Sequence, residues 1–403
     1  MGSRMKRTRI YTLLLIAVLL SFLMGKAYAA EPLMAGEAAI LIDLSTGQCL
    51  YEKNADQQMY PASTTKMLTT LLALKHGNLE DTVTIGSCVR AVEGTSIYLV
   101  EGEEVILNDL VRAMMLNSAN DAAVAIAEHI AGSVEGFAAM MNEEARRIGA
   151  VNSHFVNPNG LHEDDHYSTA RDLSLIARAA IQDLRFRELV STRTGTIIRE
   201  DPETVTNLVN TNKLLWSYEG ATGIKTGYTS RAKRCLVGLA ERDGRELLTV
   251  VLKNEEQTVW SDTANLLNYG FDEFVSTEVV SAGMKVGHAP VVVGNTGLDL
   301  VASETLRWVF PVRNPDPVIR SEIVLDGELK APIGEGETVG RLVLNHNGKE
   351  LGTVPVIAGN DVSRPIQTLW YFWVGVVFAG LVMFVYAMRF VVRTVRTSQR
   401  MRR

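Results

Sequence analysis

The chain has 403 residues, 47% hydrophobic and 21% charged, with a formal net charge of -6. That length suits two or three globular domains with sizeable cores, and the acidic balance argues against nucleic acid as a partner. The three cysteines, Cys49, Cys88 and Cys235, have no C-x-x-C spacing, so no disulfide framework or zinc site is expected; one bridge stays open, and free, largely buried thiols are the expectation.

Arg4, Lys6, Arg7 and Arg9 precede an apolar run from Ile10 to Met24, followed by the small-x-small site Ala27-Tyr28-Ala29. This is a secretory leader over residues 1–29, cleaved after Ala29 or Ala30. A retained anchor is the rival reading, which the cleavage site disfavours. Leader and C-terminal tail carry basic residues and no acidic ones, so the body between them is more acidic than the whole.

The body opens with Ala38 to Asp43 and Gln48 to Glu52 around Ser45-Thr46-Gly47, a pair of strands about a turn. Pro61-Ala62-Ser63-Thr64-Thr65-Lys66 comes next. Behind it, apolar residues 67, 68, 71, 72 and 74 recur at helical spacing. Pro61 suits the position at or before a first helical turn, so Ser63 belongs near the start of a buried helix with Lys66 on the same face. A serine needs a neighbouring base to become a nucleophile. A lysine can be that base once burial or a nearby cation lowers its pKa. The plainer reading is a helix start with a solvated lysine, because S-x-x-K alone is common.

Residues 82–107 read as short strands and loops. Asn108 caps a helix over Asp109 to Leu116, broken at Asn117-Ser118-Ala119-Asn120-Asp121. A second helix runs from Ala122 to about Ala131, and a third from Ser133 to Ile148, ended by Gly149. The Asn157-Pro158-Asn159-Gly160 loop leads to Ser168-Thr169, which cap a helix from Asp172 to Ile181. Ile224 to Tyr228 is a short strand. Cys235 to Ala240 and Glu246 to Leu252 flank Asp243-Gly244, a hairpin signal, and Thr258 to Phe274 is a closing amphipathic helix. The expected class is α+β: an antiparallel sheet flanked by helices, with a helical lobe between its strands.

From residue 276 to about 360, short Val/Ile/Leu runs (Ala289 to Gly294, Val318 to Leu325, Thr338 to Leu344, Thr353 to Ile357) alternate with Gly, Pro and Asn, as in a small all-β domain. Its plain role is a spacer. Residues 361–368 form a linker to Leu369–Met388, an uncharged run edged by Trp370, Tyr371, Phe372, Trp373 and Tyr386. At about 1.5 Å per residue this transmembrane helix spans about 30 Å, a bilayer core, and its aromatics suit the interfaces. The tail, 389–403, holds six arginines, so the positive-inside rule puts it in the cytoplasm and the body outside.

Three motifs fall in order: Ser63-Thr64-Thr65-Lys66 on a helix, Ser118-Ala119-Asn120 in a loop, and Lys225-Thr226-Gly227 on a strand. Together they are the motif set of penicillin-binding proteins and class A β-lactamases. With Asn117 to Ala122, His154 to Leu161 and Tyr167 to Asp172, the chain resembles the low-molecular-mass penicillin-binding proteins that act as serine-type D-alanyl-D-alanine carboxypeptidases. The likeness is close over about 34–275 and looser through the β-rich domain and anchor.

That resemblance implies a catalytic domain over 30–275 with the penicillin-binding, serine β-lactamase-like transpeptidase fold. Ser63 would attack the carbonyl between two D-alanines of a peptidoglycan pentapeptide, and β-lactams would acylate it. Lys66 would be the base, kept neutral by Lys225 and the helix N-terminus, and Ser118 would relay a proton to the leaving amine. Asn120 would hold the substrate amide and steady Lys66. Lys225 and Thr226 would face the terminal carboxylate, and Gly227 would let substrate lie against its strand. The backbone N–H groups of Ser63 and Tyr228 would form the oxyanion hole. The family usually has His where Tyr228 stands, which leaves its effect on pH dependence open. The basic residues after it, Arg231, Lys233 and Arg234, read as a solvated turn rather than as part of the site.

No metal or cofactor is implied. His162-Glu163-Asp164-Asp165-His166 matches H-E-x-x-H, but that zinc motif needs a helix and this stretch reads as loop. A β-lactamase is the enzymatic alternative; no E-x-x-x-N pattern occurs in 150–170 to activate a deacylating water. A non-catalytic wall-binding protein is the other, and the intact motifs disfavour it.

Overall fold

The computed structural model describes residues 31–199, 205–313 and 317–400. The leader read at 1–29 and the last three residues of the basic tail lie outside them. The chain divides into two compact units, one up to Val275 together with Pro311–Arg313, the other from Ser276 onward without those three residues.

In the first unit, β1 (Ala38–Asp43) and β2 (Cys49–Lys53) form a hairpin. A 3-10 turn, Ala62–Thr65, runs straight into α1 (Lys66–His76). The short pair β3 (Thr82–Thr84) and β4 (Glu104–Ile106) introduces α2 (Leu107–Leu116), α3 (Asn120–Ala131) and α4 (Val134–Ile148). Next come α5 (Ala170–Ile181), α6 (Leu184–Ser191), the ribbon of β5 (Thr194–Ile198) with β6 (Val205–Val209), and the single turn α7 (Leu214–Ser217). The meander β7 (Ala221–Thr229), β8 (Lys233–Arg242), β9 (Arg245–Asn254) and the helix α8 (Val259–Glu273) close it.

The main sheet has the order β2-β1-β9-β8-β7, antiparallel throughout, so the N-terminal hairpin joins the C-terminal meander and β7 is left as an edge. Both faces are covered. Alternate residues of β1 therefore serve two cores, which is why the strand reads as a continuous apolar run. Ala38, Ile40 and Ile42 pack in the core that holds Met67, Leu68 and Leu72 of α1. Ala39 and Leu41 pack with Leu266 and Leu267 of α8. Each such aliphatic side chain contributes about 1.5–3 kcal/mol on burial. The fold is the expected one.

Local differences have physical causes. The α2 helix starts at Leu107 after Ile106, not at an Asn108 cap, because the strand β4 feeds it directly. Ser133 and Thr169 do act as caps, accepting from Gly136 N and Asp172 N, and Gly149 closes α4 at φ +93°. The interval 182–223, silent in sequence, holds α6, the β5–β6 ribbon and α7. The three cysteines are free, but only Cys235 is buried; Cys88 is half-buried and Cys49 exposed, which corrects the expectation of largely buried thiols. Burial pushes the Cys235 thiol up to about 11.

Up to its C-terminal helix the second unit is built of β-strands. Its sheet orders β11 (Lys285–Ala289), β12 (Leu298–Ala302), β16 (Lys349–Ala358), β15 (Thr338–His346) and β14 (Ile319–Leu325) antiparallel, and β10 (Phe274–Val280) pairs with β13 (Leu306–Pro311). Leu298, Leu300, Leu342, Leu344, Val354 and Val356 centre its core. The expected strand at Ala289 to Gly294 is instead the end of β11 and an irregular turn. The exposed helix α9 (Trp370–Arg400) follows. Over Trp370–Arg396 it is long and apolar enough to cross a membrane, and it continues unbroken past Met388 through the basic residues.

Candidate active site

The 3-10 turn Ala62–Thr65 sets Ser63 three residues before the start of α1, and Lys66 opens that helix wholly buried. Two glycines explain how the turn fits. A Cβ on Gly160, at φ +82°, would lie 1.9 Å from Ala62 O; one on Gly227 would lie 3.0 Å from Ser63 N, Pro61 O and Ala62 Cβ. Only glycine lets two backbones approach a third this closely. The edge strand β7 and the 157–160 loop therefore grip the serine-bearing turn from different directions. Gly227 thus serves the packing of the turn itself, a role additional to the expected one of admitting substrate.

Lys66 Nζ lies 2.9 Å from Ser63 Oγ, 2.7 Å from Asn120 Oδ1 and 2.7 Å from Asn159 O. The last two atoms can only accept. A neutral amine has two N–H donors and one lone pair. If both donors go to Asn120 and Asn159, the lone pair is left to face the Ser63 hydroxyl. Burial holds the Lys66 pKa well below the ordinary value; the charge of Lys225 lowers it further, and Asp121 opposes them. The main cause is thus desolvation, with the second lysine behind it, rather than charge crowding alone.

Asn120 caps none of this loosely. Its Nδ2 donates to Glu93 O at 2.7 Å, and its backbone N–H donates to Thr95 O at 2.7 Å. Beside it, Asp121 is buried and accepts from Ile97 N, Leu99 N and Ser96 Oγ, tying the 95–99 loop to α3. Ser118 sits in the turn between α2 and α3 at φ +62° and is buried.

On β7, Lys225 is fully buried and its Nζ has no hydrogen-bond partner among the described residues. Burial pulls its pKa down to about 7. An unpartnered buried donor is costly, so a group lodged beside it is expected to carry an acceptor. Thr226 Oγ1 is 2.6 Å from Thr211 Oγ1. Tyr228 is exposed, with the Arg234 guanidinium 4.7 Å over its ring; Arg234 is in turn 2.7 Å from Glu256.

Ser63, Lys66 and Asn120 are joined directly by these contacts, and Gly227 abuts Ser63. Ser118 and Lys225 make no side-chain hydrogen bond among the described residues. Sequence reasoning gave no role to Asn159, Asp121 or Thr211. Asn159 and Asp121 lay inside quoted motifs, whereas Thr211 had no sequence signal, since only the fold brings residues 211 and 226 together.

The H-E-x-x-H stretch is loop, and among the described residues no group of three His, Cys, Asp or Glu could hold a metal. His166 is buried. Its Nδ1 accepts from Val156 N at 3.2 Å, which leaves Nε2–H to donate to Thr65 Oγ1 at 2.9 Å. Burial above all, with His154, Lys66 and His162 nearby, pulls its pKa down to about 3, so it is a neutral prop under the Ser63 turn.

A family profile described as D-alanyl-D-alanine carboxypeptidase matches residues 26–256. The chain belongs to that family. A second profile, the C-terminal domain of penicillin-binding protein 5, matches residues 274–364. The D-alanyl-D-alanine carboxypeptidase DacF of Bacillus subtilis is 31% identical over 373 residues, 88% of this chain and 95% of that one. DacA of Escherichia coli is 30% identical over 376 residues, 85% and 90% of the two chains. Among solved structures, penicillin binding protein 5 from Haemophilus influenzae superposes with a TM-score of 0.71 at 30% identity, covering 83% of this chain and all of that one. The Streptomyces K15 DD-transpeptidase matches at 0.58 and 33%, covering 60% of this chain and 99% of its own. This member of the carboxypeptidase family is a serine-type D-alanyl-D-alanine carboxypeptidase; the relatives favour that activity over a β-lactamase.

Proposed function

We propose that Ser63 is the nucleophile of this carboxypeptidase and Lys66 its base. Ser63 Oγ attacks the carbonyl carbon of the penultimate D-alanine of a peptidoglycan pentapeptide while its proton passes to Lys66 Nζ. Ser118 hands a proton to the amine of the departing D-alanine, and water then releases the acyl group. Asn120 holds the substrate amide and fixes Lys66. Lys225 and Thr226 receive the terminal carboxylate, which confines cleavage to a chain end. The N–H groups of Ser63 and Tyr228 hold the oxyanion, each typically worth about 100-fold or more. The chemistry calls for no metal or cofactor.

The observation that carries this reading is the Lys66 amine held between two acceptor-only oxygens and the Ser63 hydroxyl. β-Lactams should acylate the same serine. Mass spectrometry of the protein after penicillin treatment is expected to find the adduct on the Ser63 peptide; an adduct elsewhere overturns the assignment. Free D-alanine should be released from a pentapeptide by the unmodified protein and not by Ser63→Ala. Absence of release by the unmodified protein would favour a non-catalytic wall-binding role.

The finer topology belongs to the same reading. The secretory leader takes the body outside, α9 anchors it, and the arginines after Met388 stay in the cytoplasm. Protease added to intact cells should digest the body and spare a tag placed after Arg403.

A further inference from the structure

The five-stranded sheet of the β-rich unit ends in two strands paired on one side only, β11 and β14. Such edges offer rows of unbonded N–H and C=O groups to any other strand. The two are finished differently. β11 is five residues long, and its register shifts between Lys285 and Gly287. Lys285 Nζ and His288 Nδ1 both lie against Asp299, at 2.7 Å and 2.8 Å. A bulge and side chains already engaged blunt an edge. β14 is seven residues long, and its pairing with β15 runs from Ile319 to Leu325 without a shift. It contains no proline or glycine, and Arg320 and Glu322, both exposed, have no ion-pair partner among the described residues.

The free backbone groups of β14 can be assigned. Asp326 N–H donates to Val339 O on β15 at 3.1 Å. Bonding direction alternates along an antiparallel strand, so residues 320, 322 and 324 bond inward to β15, and residues 319, 321, 323 and 325 turn their N–H and C=O groups outward. Side chains alternate as well. Ile319, Ile323 and Leu325 pack against the core of the unit. Val318, Arg320, Glu322 and Val324 share the other face, and Val318 is 79% exposed. Laid antiparallel to itself about Ser321, this strand is self-complementary. Val318 falls opposite Val324, Arg320 opposite Glu322, Ile319 opposite Ile323, and Ser321 opposite itself. The neighbouring symmetric registers instead set Arg320 or Glu322 against its own symmetry mate, a like-charge clash.

We infer that β14 is a self-association edge, at which two copies of this chain pair antiparallel about a two-fold axis at Ser321 and join their sheets. The contact is isologous, as a closed dimer requires. The outward N–H and C=O groups of residues 319, 321 and 323 exchange hydrogen bonds across the axis. Arg320 and Glu322 then form two equivalent ion pairs at non-hydrogen-bonded positions, where facing side chains are closest, with Cα atoms about 4.5 Å apart. On the other face Ile319 and Ile323 carry the apolar stripe of one core across to the next. An edge meant only for water needs no such order of charges. One ladder is a small interface, so the dimer is a transient one. The pairing is independent of the roles proposed for Ser63 and Lys66.

Disulfide trapping tests the axis. Two copies of Ser321→Cys would face each other in a hydrogen-bonded pair, with Cα atoms about 5.5 Å apart, within the reach of a disulfide. Cys49→Ser first removes the exposed native thiol. Full-length protein in detergent is then treated with a mild oxidant (copper–phenanthroline) and run on non-reducing gels. Ser321→Cys should give a reducible dimer at least about 10-fold above Cys49→Ser alone, and equally above Arg320→Cys, whose symmetry mate is a diagonal neighbour beyond disulfide reach. Within Ser321→Cys, Arg320→Glu or Glu322→Arg alone should lower the yield about 5–10-fold, because both ion pairs become like-charge pairs. The two exchanges together should restore it. Hydrogen exchange of β15 peptides should stay unchanged in every variant, showing that the β-rich unit remains folded. No dimer above the Cys49→Ser background overturns the pairing. So do equal yields at positions 320 and 321, single exchanges without effect, and single losses that the double exchange does not rescue.

Discussion

The interiors of the two units are built from different materials. Every polar or charged side chain buried among the described residues lies between Asp43 and Thr263, in the unit that holds Ser63. The β-rich unit buries only apolar side chains, with Leu298, Leu342 and Val354 at its centre. Burying an amine or carboxylate is costly unless it is bonded, and the Lys225 amine is buried with no hydrogen-bond partner among the described residues. A core assembled for stability alone has no use for such groups, and the second unit has none. Under the proposed mechanism the lysines of the first unit face substrate, and desolvation lowers the pKa of the proposed base and leaves a donor waiting.

The sharpest way to break this comparison is to remove the buried amine proposed as the base. Lys66→Met should reduce D-alanine release by about 10²–10⁴-fold, the usual worth of a positioned base. Its unfolding in urea should be as resistant as that of the original protein or more so, because an apolar side chain of similar length replaces a desolvated amine. Marked destabilisation would mean that Lys66 is a structural member of the core.

The reciprocal experiment falls in the second unit. Leu342→Ala should cost about 2–5 kcal/mol, read as faster hydrogen exchange in peptides from β14 to β16, with D-alanine release unchanged. A parallel fall in activity would contradict the separation of roles.

Gly160→Ala tests the grip on the nucleophile turn. The new Cβ would press on Ala62 O at a positive φ, so the turn must shift. A displacement of about 1 Å can cost about 100-fold in rate. The penicillin acylation rate should therefore fall by roughly 10–100-fold, with a smaller loss in stability. An unchanged acylation rate would show that the turn is held by other contacts.

The last test is in pH. Lys225 titrates at about 7 in the folded protein against an ordinary 10.5. Between those values the unfolded chain binds the proton that the native state refuses, so unfolding free energy rises with pH across that window. Lys66, whose pKa is also lowered, adds in the same direction. Hydrogen exchange of first-unit peptides, corrected for intrinsic rates, should show this rise from pH 7 to 10, and Lys225→Met should flatten part of it. Second-unit peptides should show no such slope. The same slope in Lys225→Met would assign it elsewhere.

Much of this was legible in the chain. The apolar spacing after Lys66, the Asp243-Gly244 turn and the Ser133, Thr169 and Gly149 caps are local signals, and the folded protein obeys them. The interval from Gln182 to Gly223 was opaque because its helices and strands are short. Asn108 misled because a cap preference is weak beside a strand that feeds straight into the helix. In the site, the motif residues could be named, but their bonds could not. Asn159 offers a backbone carbonyl, which any residue possesses, and Thr211 meets Thr226 only across the fold.

The sequence by itself determined the chemical types: a serine with a lysine three residues on, a second lysine on a strand, an apolar helix at the far end. These depend on residue identity and short spacing, which a chain carries whatever its fold. Tertiary structure decided the states of those groups. Burial, not the neighbouring cation alone, lowers Lys66. Two glycine contacts from distant segments fix the turn of Ser63. Each of these depends on which atoms exclude water from which others, and that is set only when strands and loops far apart in sequence close around one another.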